Sequence, residues 1–254
     1  MENYKTARND VFKAQFNPQT LADIRMYIKL LGFHKPALNF GVDFTLKNWY
    51  GTVNLHKLHK RRLNPYQSAL KHLCDGFGDR ELPISLYGFG DIETQDLEVF
   101  SMSDMQKCID SADAISLYNS AAQCIEMSGP RSFVPMVNEV IQKSRSSKER
   151  QILFILTNGL PEDIGRSVDA LVDASFNDVS VIIIGIGSGP WQGFTRLCND
   201  HNKKYNNTSF LQHTAYDESS SPVEFLREVV ITVERQLDDL NTLSQESEVD
   251  KKDT

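Results

Sequence analysis

Several short segments of the chain are apolar at nearly every position, and this feature limits the possible folds most. The clearest is VSVIIIGIG at 179–187, and the segments LNFGVDF at 38–44 and QILFILTNG at 151–159 are similar. A strand that is apolar on both faces must be covered on both faces, as happens in a parallel sheet between two layers of helices. The sequence therefore predicts an α/β protein with a doubly wound, mostly parallel sheet.

Segments of helical periodicity separate these runs. TLADIRMYIKLL at 20–31 has apolar residues at 21, 24, 28 and 31, and Asn64-Pro65 is a favourable start for a second helix. The predicted helices are 20–31, 65–73, 104–111, 113–125, 133–145 (capped by Ser132), 162–174, 191–199 and 222–237. Further strands are predicted at 83–91 and near Phe210, and a small hairpin containing VFS is predicted within 92–101.

This pattern indicates one folded domain over residues 20–237. Residues 1–19 are predicted to be an N-terminal extension. Residues 238–254 are polar and charged, and they are predicted to form a disordered tail.

Composition excludes several classes of function. The net charge of −7 argues against a whole-domain electrostatic grip on nucleic acid or anionic lipid, so we expect no nucleic-acid partner. The four cysteines are dispersed without a C-x-x-C pair, so the chain encodes neither a zinc ribbon nor a RING finger. The start, MENYKTARND, does not resemble a secretory signal, and no apolar stretch approaches the roughly 20 residues that span a bilayer. We therefore expect reduced thiols, no membrane insertion, and a cytoplasmic location with the nucleus as the alternative.

A set of motifs in a fixed order resembles one known family. The motifs are GVDFTLKNWYG (41–51), NLHKLH (54–59), NPYQSAL (64–70), YGFGDIETQDLEVFS (87–101), SGPRSFVPMVNEVI (128–141), ILTNG (155–159) and GIGSGPW (185–191). Together they resemble the copine-like von Willebrand A (vWA) domain, most closely the version found in plant RING-type ubiquitin ligases. The resemblance covers about residues 20–236. It implies a six-stranded, Rossmann-like sheet with a metal-ion-dependent adhesion site at its carboxyl edge.

In the family this site uses Asp-x-Thr/Ser-x-Ser, a Thr in an SGPT loop and an Asp in a T-D-G turn. Asp43 and Thr45 match the first motif here. The third position of that motif is Lys47, the SGPT threonine is Arg131 and the T-D-G aspartate is Asn158. Mg²⁺ prefers about six oxygen ligands, and two of these replacements introduce cations instead. We therefore expect no cofactor, with Mg²⁺ as the alternative.

Two interpretations of the altered site remain open at this point. In the first, Arg131 or Lys47 pairs with Asp43 and takes the electrostatic place of the ion. In the second, the site has drifted and both cationic side chains are solvated.

The resemblance implies a non-catalytic protein-interaction module with a degenerate metal site. The sequence shows no constellation typical of acid–base or nucleophilic catalysis. Alternatives are a substrate-binding or regulatory component of ubiquitin ligation without its own RING, and a divalent-cation-dependent binding domain. Expected partners are other proteins, with ubiquitin-pathway components among them. Candidate partner-binding residues are Asp43, Thr45, Lys47, Trp49, Arg131, Asn158 and Trp191.

Two neighbouring features have competing interpretations. His56 and His59 have a spacing that suits a zinc site, but no third ligand is evident, so surface or loop packing is the simpler interpretation. The run at 59–62, HKRR, is either a solvated face or a contact for phosphate or an acidic partner. Calcium-dependent membrane recruitment is the least favoured function, because the first 36 residues have no room for a C2 domain.

Overall fold

The computed structural model describes residues 16–32, 36–77, 84–103, 108–213 and 222–250. The helices are α1 (Leu21–Leu30), α2 (Pro65–Phe77), α3 (Ser111–Cys124), α4 (Val134–Ser147), α5 (Ile164–Ser175), α6 (Phe194–Cys198) and α7 (Pro222–Asp250). The strands are β1 (Ala37–Asp43), β2 (Trp49–Tyr50), β3 (Val53–Asn54), β4 (Ser85–Phe89), β5 (Phe100–Ser101), β6 (Gln151–Thr157), β7 (Val179–Gly185) and β8 (Thr208–Gln212). No helix in these ranges is long and apolar enough to cross a membrane.

Six of the strands form one sheet in the order β5-β4-β1-β6-β7-β8. All neighbours are parallel except β4 and β5, which are antiparallel. The chain runs from β1 to β4 on one side and later returns to β6 on the other side of β1. The order therefore reverses between β1 and β6, and in open α/β sheets ligands bind at such a point, beyond the carboxyl ends of the strands.

Helices cover both faces of the sheet, as the apolar runs predicted. On one face α1, α2 and α7 pack on strand residues such as Phe40 and Phe154. On the other face α4, α5 and α6 pack on Leu153, Ile155 and Val181. Neighbouring positions along β6 thus belong to different cores, which explains why every residue of that strand is buried.

Some predicted boundaries differ from the structure. Of the helix predicted at 104–111, residues 104–107 lie outside the described ranges. Cys108 instead forms a bridge with Ile84, and Asp110 caps α3, so the prediction is wrong over 108–110. The aspartate accepts hydrogen bonds from the backbone N–H groups of Ala112 and Asp113, which fixes the start of the helix.

Both termini also differ in detail from the predicted domain limits. Residues 1–15 of the predicted extension lie outside the described ranges, and Phe16 stacks on Tyr27 of α1 with ring centroids 3.8 Å apart. The last helix, predicted to end near Leu237, continues to Asp250. Leu240 is fully buried one turn after Leu237, so the apolar stripe of the helix extends into the predicted tail.

Candidate functional site

The candidate site lies at the carboxyl edge of the sheet, where β1 and β6 end side by side. Asp43 is the last residue of β1 and Thr157 the last residue of β6, and the register pairs Val42 with Leu156. Both side chains are fully buried. The parallel pairing of two non-consecutive strands therefore brings a carboxylate and a hydroxyl together.

Four donors surround the Asp43 carboxylate. Oδ1 accepts from the Thr45 backbone N–H at 2.9 Å and from Thr45 Oγ1 at 2.6 Å. Oδ2 accepts from Thr157 Oγ1 at 2.7 Å and from Arg131 Nε at 2.6 Å. A carboxylate can accept about four hydrogen bonds, so these four donors occupy all of its acceptor sites.

Arg131 reaches Asp43 from the loop that precedes α4. The arginine side chain is 4% exposed and the Asp43 side chain 0%, so the ion pair lies inside the protein. Arg131 Nη1 also donates to the Leu160 carbonyl oxygen at 3.2 Å. A Cβ at Gly159 would lie 2.8 Å from the same Nη1, so the glycine leaves the space that the guanidinium fills.

The ion pair lowers the pKa of Asp43. Burial alone would raise the pKa of Asp43, but the Arg131 charge and the hydrogen bonds from Thr45 and Thr157 hold the pKa below its usual value. Asp43 is therefore an anion at neutral pH, and its counter-charge is the guanidinium.

A second set of buried polar groups holds the backbone carbonyl of Asp43 in place. The Asp43 carbonyl oxygen accepts from Asn48 Nδ2 and from His56 Nε2, both at 2.9 Å. His56 Nδ1 then accepts from the Tyr118 hydroxyl at 2.8 Å, and Tyr66 donates to Asn48 Oδ1 at 2.5 Å. Burial lowers the pKa of His56 to about 4, so this histidine is neutral.

Lys47 lies on a short 3₁₀ turn, Leu46–Asn48, above the pair. Its Nζ is 3.1 Å from Glu162 Oε1, and both side chains are about half exposed. The backbone N–H of Glu162 donates to the Arg131 carbonyl oxygen at 2.9 Å. The salt bridge thus connects the turn after β1 to the loop that carries Arg131, and the carboxylate that Lys47 contacts is Glu162, not Asp43.

The remaining predicted residues lie apart from the carboxylate. Asn158 donates from Nδ2 to the Ile186 carbonyl oxygen at 3.2 Å and so braces the loop after β7. Trp49 is 53% exposed on β2. Trp191 is half-buried and packs against Phe194 and Phe210, with ring centroids 5.9 and 5.4 Å away.

Several residues of the site were missed by sequence reasoning. Asn48, Tyr66 and Glu162 all contact the site, but none was singled out. Thr157 ends a predicted buried strand within the ILTNG motif and was therefore expected at the carboxyl edge of the sheet, but it was not among the candidate partner-binding residues. His56 was expected to be a surface or loop-packing residue, and it is the buried loop-packing one, whereas His59 is exposed.

A divalent cation does not fit these residues as they stand. To reach Asp43 it would have to displace one of the four donors, and it would meet the Arg131 charge. Across the described ranges, no three His, Cys, Asp or Glu side chains come together in a way that could hold a metal ion.

Comparison with known proteins identifies a matching family model and several related proteins. The family model named Copine matches residues 54–248. The chain is 32% identical over 193 residues to Copine family protein 2 of Caenorhabditis elegans, and the match covers 70% of this chain and 2% of that protein. It is 26% identical over 226 residues to E3 ubiquitin-protein ligase RGLG4 of Arabidopsis thaliana, covering 80% of this chain and 56% of that protein. The chain therefore spans only part of these relatives.

Among solved structures, manganese-loaded TRAP protein of Plasmodium vivax is similar in fold. The TM-score is 0.49 at 18% identity, and the match covers 72% of this chain and 70% of that chain.

Proposed function

Because this chain belongs to the copine family, we propose that it is a non-catalytic protein-interaction module that docks partners at the carboxyl edge of its sheet without a metal ion. The observation that carries the proposal is the buried pair of Asp43 and Arg131. The guanidinium supplies internally the positive charge that an adhesion-site cation would bring. The carboxylate is therefore neutralised before any partner arrives.

Local chemistry supports a structural role for the buried acids. Asp91 accepts hydrogen bonds from Thr94, and Glu234 accepts from the Tyr27 hydroxyl at 3.1 Å. With Asp43 bound by its four donors, each of these three buried carboxylates already has a partner within the fold.

The buried thiols are also poor nucleophiles. Burial raises the pKa of Cys108 to about 12 and that of Cys198 to about 11, so both are protonated thiols at neutral pH. We infer binding rather than catalysis from the chemistry of these acids and thiols.

A second candidate function is participation in ubiquitin ligation as a substrate-binding or regulatory component. The similarity to RGLG4, and the 28% identity over 207 residues to E3 ubiquitin-protein ligase RGLG3 of Arabidopsis thaliana, favours this candidate. Co-purification of a ubiquitin-conjugating enzyme with the full chain would support it over a general docking role.

Thermal unfolding with and without divalent cations tests the metal-free proposal. The full chain is unfolded in EDTA and then with millimolar Mg²⁺, Mn²⁺ or Ca²⁺. A ligand at 100 times its Kd adds about 2.7 kcal/mol, which raises the Tm of a domain of this size by about 5–11 °C. We expect no shift for the natural sequence. A saturable shift that Asp43→Ala abolishes would instead establish divalent-cation-dependent binding.

A matched variant provides the positive control. Lys47→Ser, Arg131→Thr and Asn158→Asp together restore the oxygen ligands of the family motif and remove both cations. This triple variant is expected to show the Mg²⁺-dependent rise that the natural chain lacks. An unresponsive but folded triple variant would count against the view that the scaffold of the site is intact.

A further inference from the structure

Acidic and basic residues are segregated along this chain. No Asp or Glu occurs between positions 44 and 74, whereas the same segment contains six cations: Lys47, Lys57, Lys60, Arg61, Arg62 and Lys71. The whole chain nevertheless carries a net charge of −7. A local basic surface therefore exists on an acidic protein.

Hydrogen bonds hold much of this basic segment close to the Asp43 site. His56 Nδ1 and Asn64 Nδ2 lie 2.8 and 3.0 Å from the same Tyr118 hydroxyl, so the loop 57–63 begins and ends at one buried group. The hairpin of β2 and β3 is held there too, because the Leu55 N–H donates to the Asn48 carbonyl oxygen at 3.0 Å. We call residues 46–63 the basic rim.

The basic rim exposes both apolar and cationic side chains. Tyr50 is 87% exposed, and Leu46, Trp49 and Val53 are each more than half exposed. The four cations of its loop are exposed and make no ion pair with any residue the structure describes: Lys57, Lys60, Arg61 and Arg62. Aromatic and arginine side chains are favoured anchors at protein interfaces.

We propose that the basic rim binds an acidic segment of a partner protein, with Trp49 and Tyr50 contacting an apolar side chain of that segment. The inference rests on the proposed docking function and specifies the chemistry of its partner. The Lys47–Glu162 bridge shows that the rim already accommodates a carboxylate from another part of this chain. Complementary charge would also speed association and make it sensitive to salt.

The neighbouring loop argues for a narrow partner rather than a membrane or a nucleic acid. Residues 91–98 follow β4 at the same edge of the sheet, and Glu93 and Glu98 are exposed there. A broad anionic surface pressed against this edge would meet these carboxylates as well as the cations. A peptide-sized acidic segment can contact the rim alone.

A displayed library of random peptides, selected against the full chain in EDTA, tests the proposal. The enriched peptides are expected to be rich in Asp and Glu, and their affinity should fall as salt rises. Fluorescence polarisation should show a loss of about tenfold or more for Lys60→Glu/Arg61→Glu and for Trp49→Ala. Lys57→Glu/Arg62→Glu is an independent pair should the first variant fold poorly.

Lys148→Glu/Lys204→Glu is the matched control, because both lysines are exposed near the amino ends of β6 and β8. This control should bind as the natural chain does, and all variants are compared by thermal unfolding first. Failure of any peptide to enrich either in EDTA or with Mg²⁺ or Mn²⁺, enrichment without acidic residues, or indifference to both charge-reversal pairs would overturn the proposal. Rim-dependent binding to phosphatidylserine vesicles without peptide binding would assign the surface to membranes instead.

The same assay separates this inference from the metal-free proposal. If the library yields acidic peptides only when Mg²⁺ or Mn²⁺ is present, and Asp43→Ala abolishes their binding, docking is cation-dependent and the metal-free proposal fails. The inference about the rim would stand in that case only if both charge-reversal pairs still weakened the cation-dependent binding.

Discussion

At the scale of single residues, the Asp43–Arg131 pair adds little net stability, whereas the loss of either partner is costly. Bringing two charges out of water costs free energy that their attraction and hydrogen bonds only partly offset, so a buried pair is weak evidence for stability. Removing one partner is different, because the other charge is then buried without compensation. The structure adds that Arg131 is the only cation that donates to this carboxylate among the described residues.

Arg131→Ala is expected to lower the free energy of unfolding by about 3–5 kcal/mol at pH 7, because Asp43 would remain buried and unpaired. Urea denaturation measures the change. The control is Arg166→Ala, whose side chain is 59% exposed and 3.5 Å from Asp96. Such a surface pair is worth at most about 1 kcal/mol.

The double variant Asp43→Asn/Arg131→Met removes both charges of the pair. It should lose less stability than Arg131→Ala alone, since neither charge is then left unpaired. Equal stability of Arg131→Ala and the natural chain would mean that Asp43 is not held as described.

At the scale of elements, the close contact between strands β4 and β5 limits the size of the side chain that one position can hold. Gly88 of β4 pairs with Phe100 of β5, and a Cβ at Gly88 would overlap the Phe100 ring. That ring packs against the core of the α1, α2 and α7 face and lies 5.9 Å from Phe44, centroid to centroid. The glycine therefore allows the antiparallel edge strand to lie on β4.

Gly88→Ala is expected to destabilise the protein by about 1–3 kcal/mol, because the added methyl group displaces Phe100 from the core. Gly165→Ala in α5 is the matched control, since nothing lies within 4 Å of its added Cβ. The control should be neutral or stabilising by up to about 1 kcal/mol, because alanine favours helix. Chemical denaturation of both variants checks the difference, and equal effects would contradict the packing argument.

Leu240→Ala tests the extended last helix. The side chain is fully buried beyond the predicted end of the domain at 237, so its truncation should cost about 2–5 kcal/mol. Arg235→Ala, on an exposed position of the same helix, should change stability by less than about 0.5 kcal/mol. A neutral Leu240→Ala would indicate that the fold needs nothing after 237.

At the scale of the whole molecule, neutral buried histidines make stability depend on pH. Burial lowers the pKa of His56 and of His213 to about 4, from an ordinary value of 6.5. His213 Nε2 lies 3.1 Å from His72 Nδ1, and burial lowers the pKa of His72 as well. Two imidazoles in one hydrogen bond cannot both be protonated without losing it.

Stability is therefore expected to fall as pH drops from about 6.5 towards 4, because in this window the unfolded chain binds more protons than the folded one. Over the full window each of the two histidines accounts for roughly 3 kcal/mol. Urea midpoints across this pH range measure the slope. His213→Phe should flatten it, whereas exposed His201→Gln should not. An unchanged slope in His213→Phe would show that this histidine is not the titrating group.

The apolar runs and helical stripes by themselves determined the α/β layers, since strands buried on both faces and amphipathic helices can be recognised from local periodicity. The motifs after β1 likewise placed Asp43 and Thr45 at the end of a strand. The extent of α7 was harder to predict, because the buried Leu240 lies within a polar and charged stretch of sequence.

Tertiary structure alone decided which cation pairs with Asp43. Lys47 is four residues away in sequence and Arg131 is 88 residues away, yet the distant arginine makes the contact. The reason is the strand order: placing β6 beside β1 brings Thr157, and the space beside Gly159, next to the carboxylate. The 3₁₀ turn meanwhile carries Lys47 outward to Glu162, and no local pattern encodes either distance.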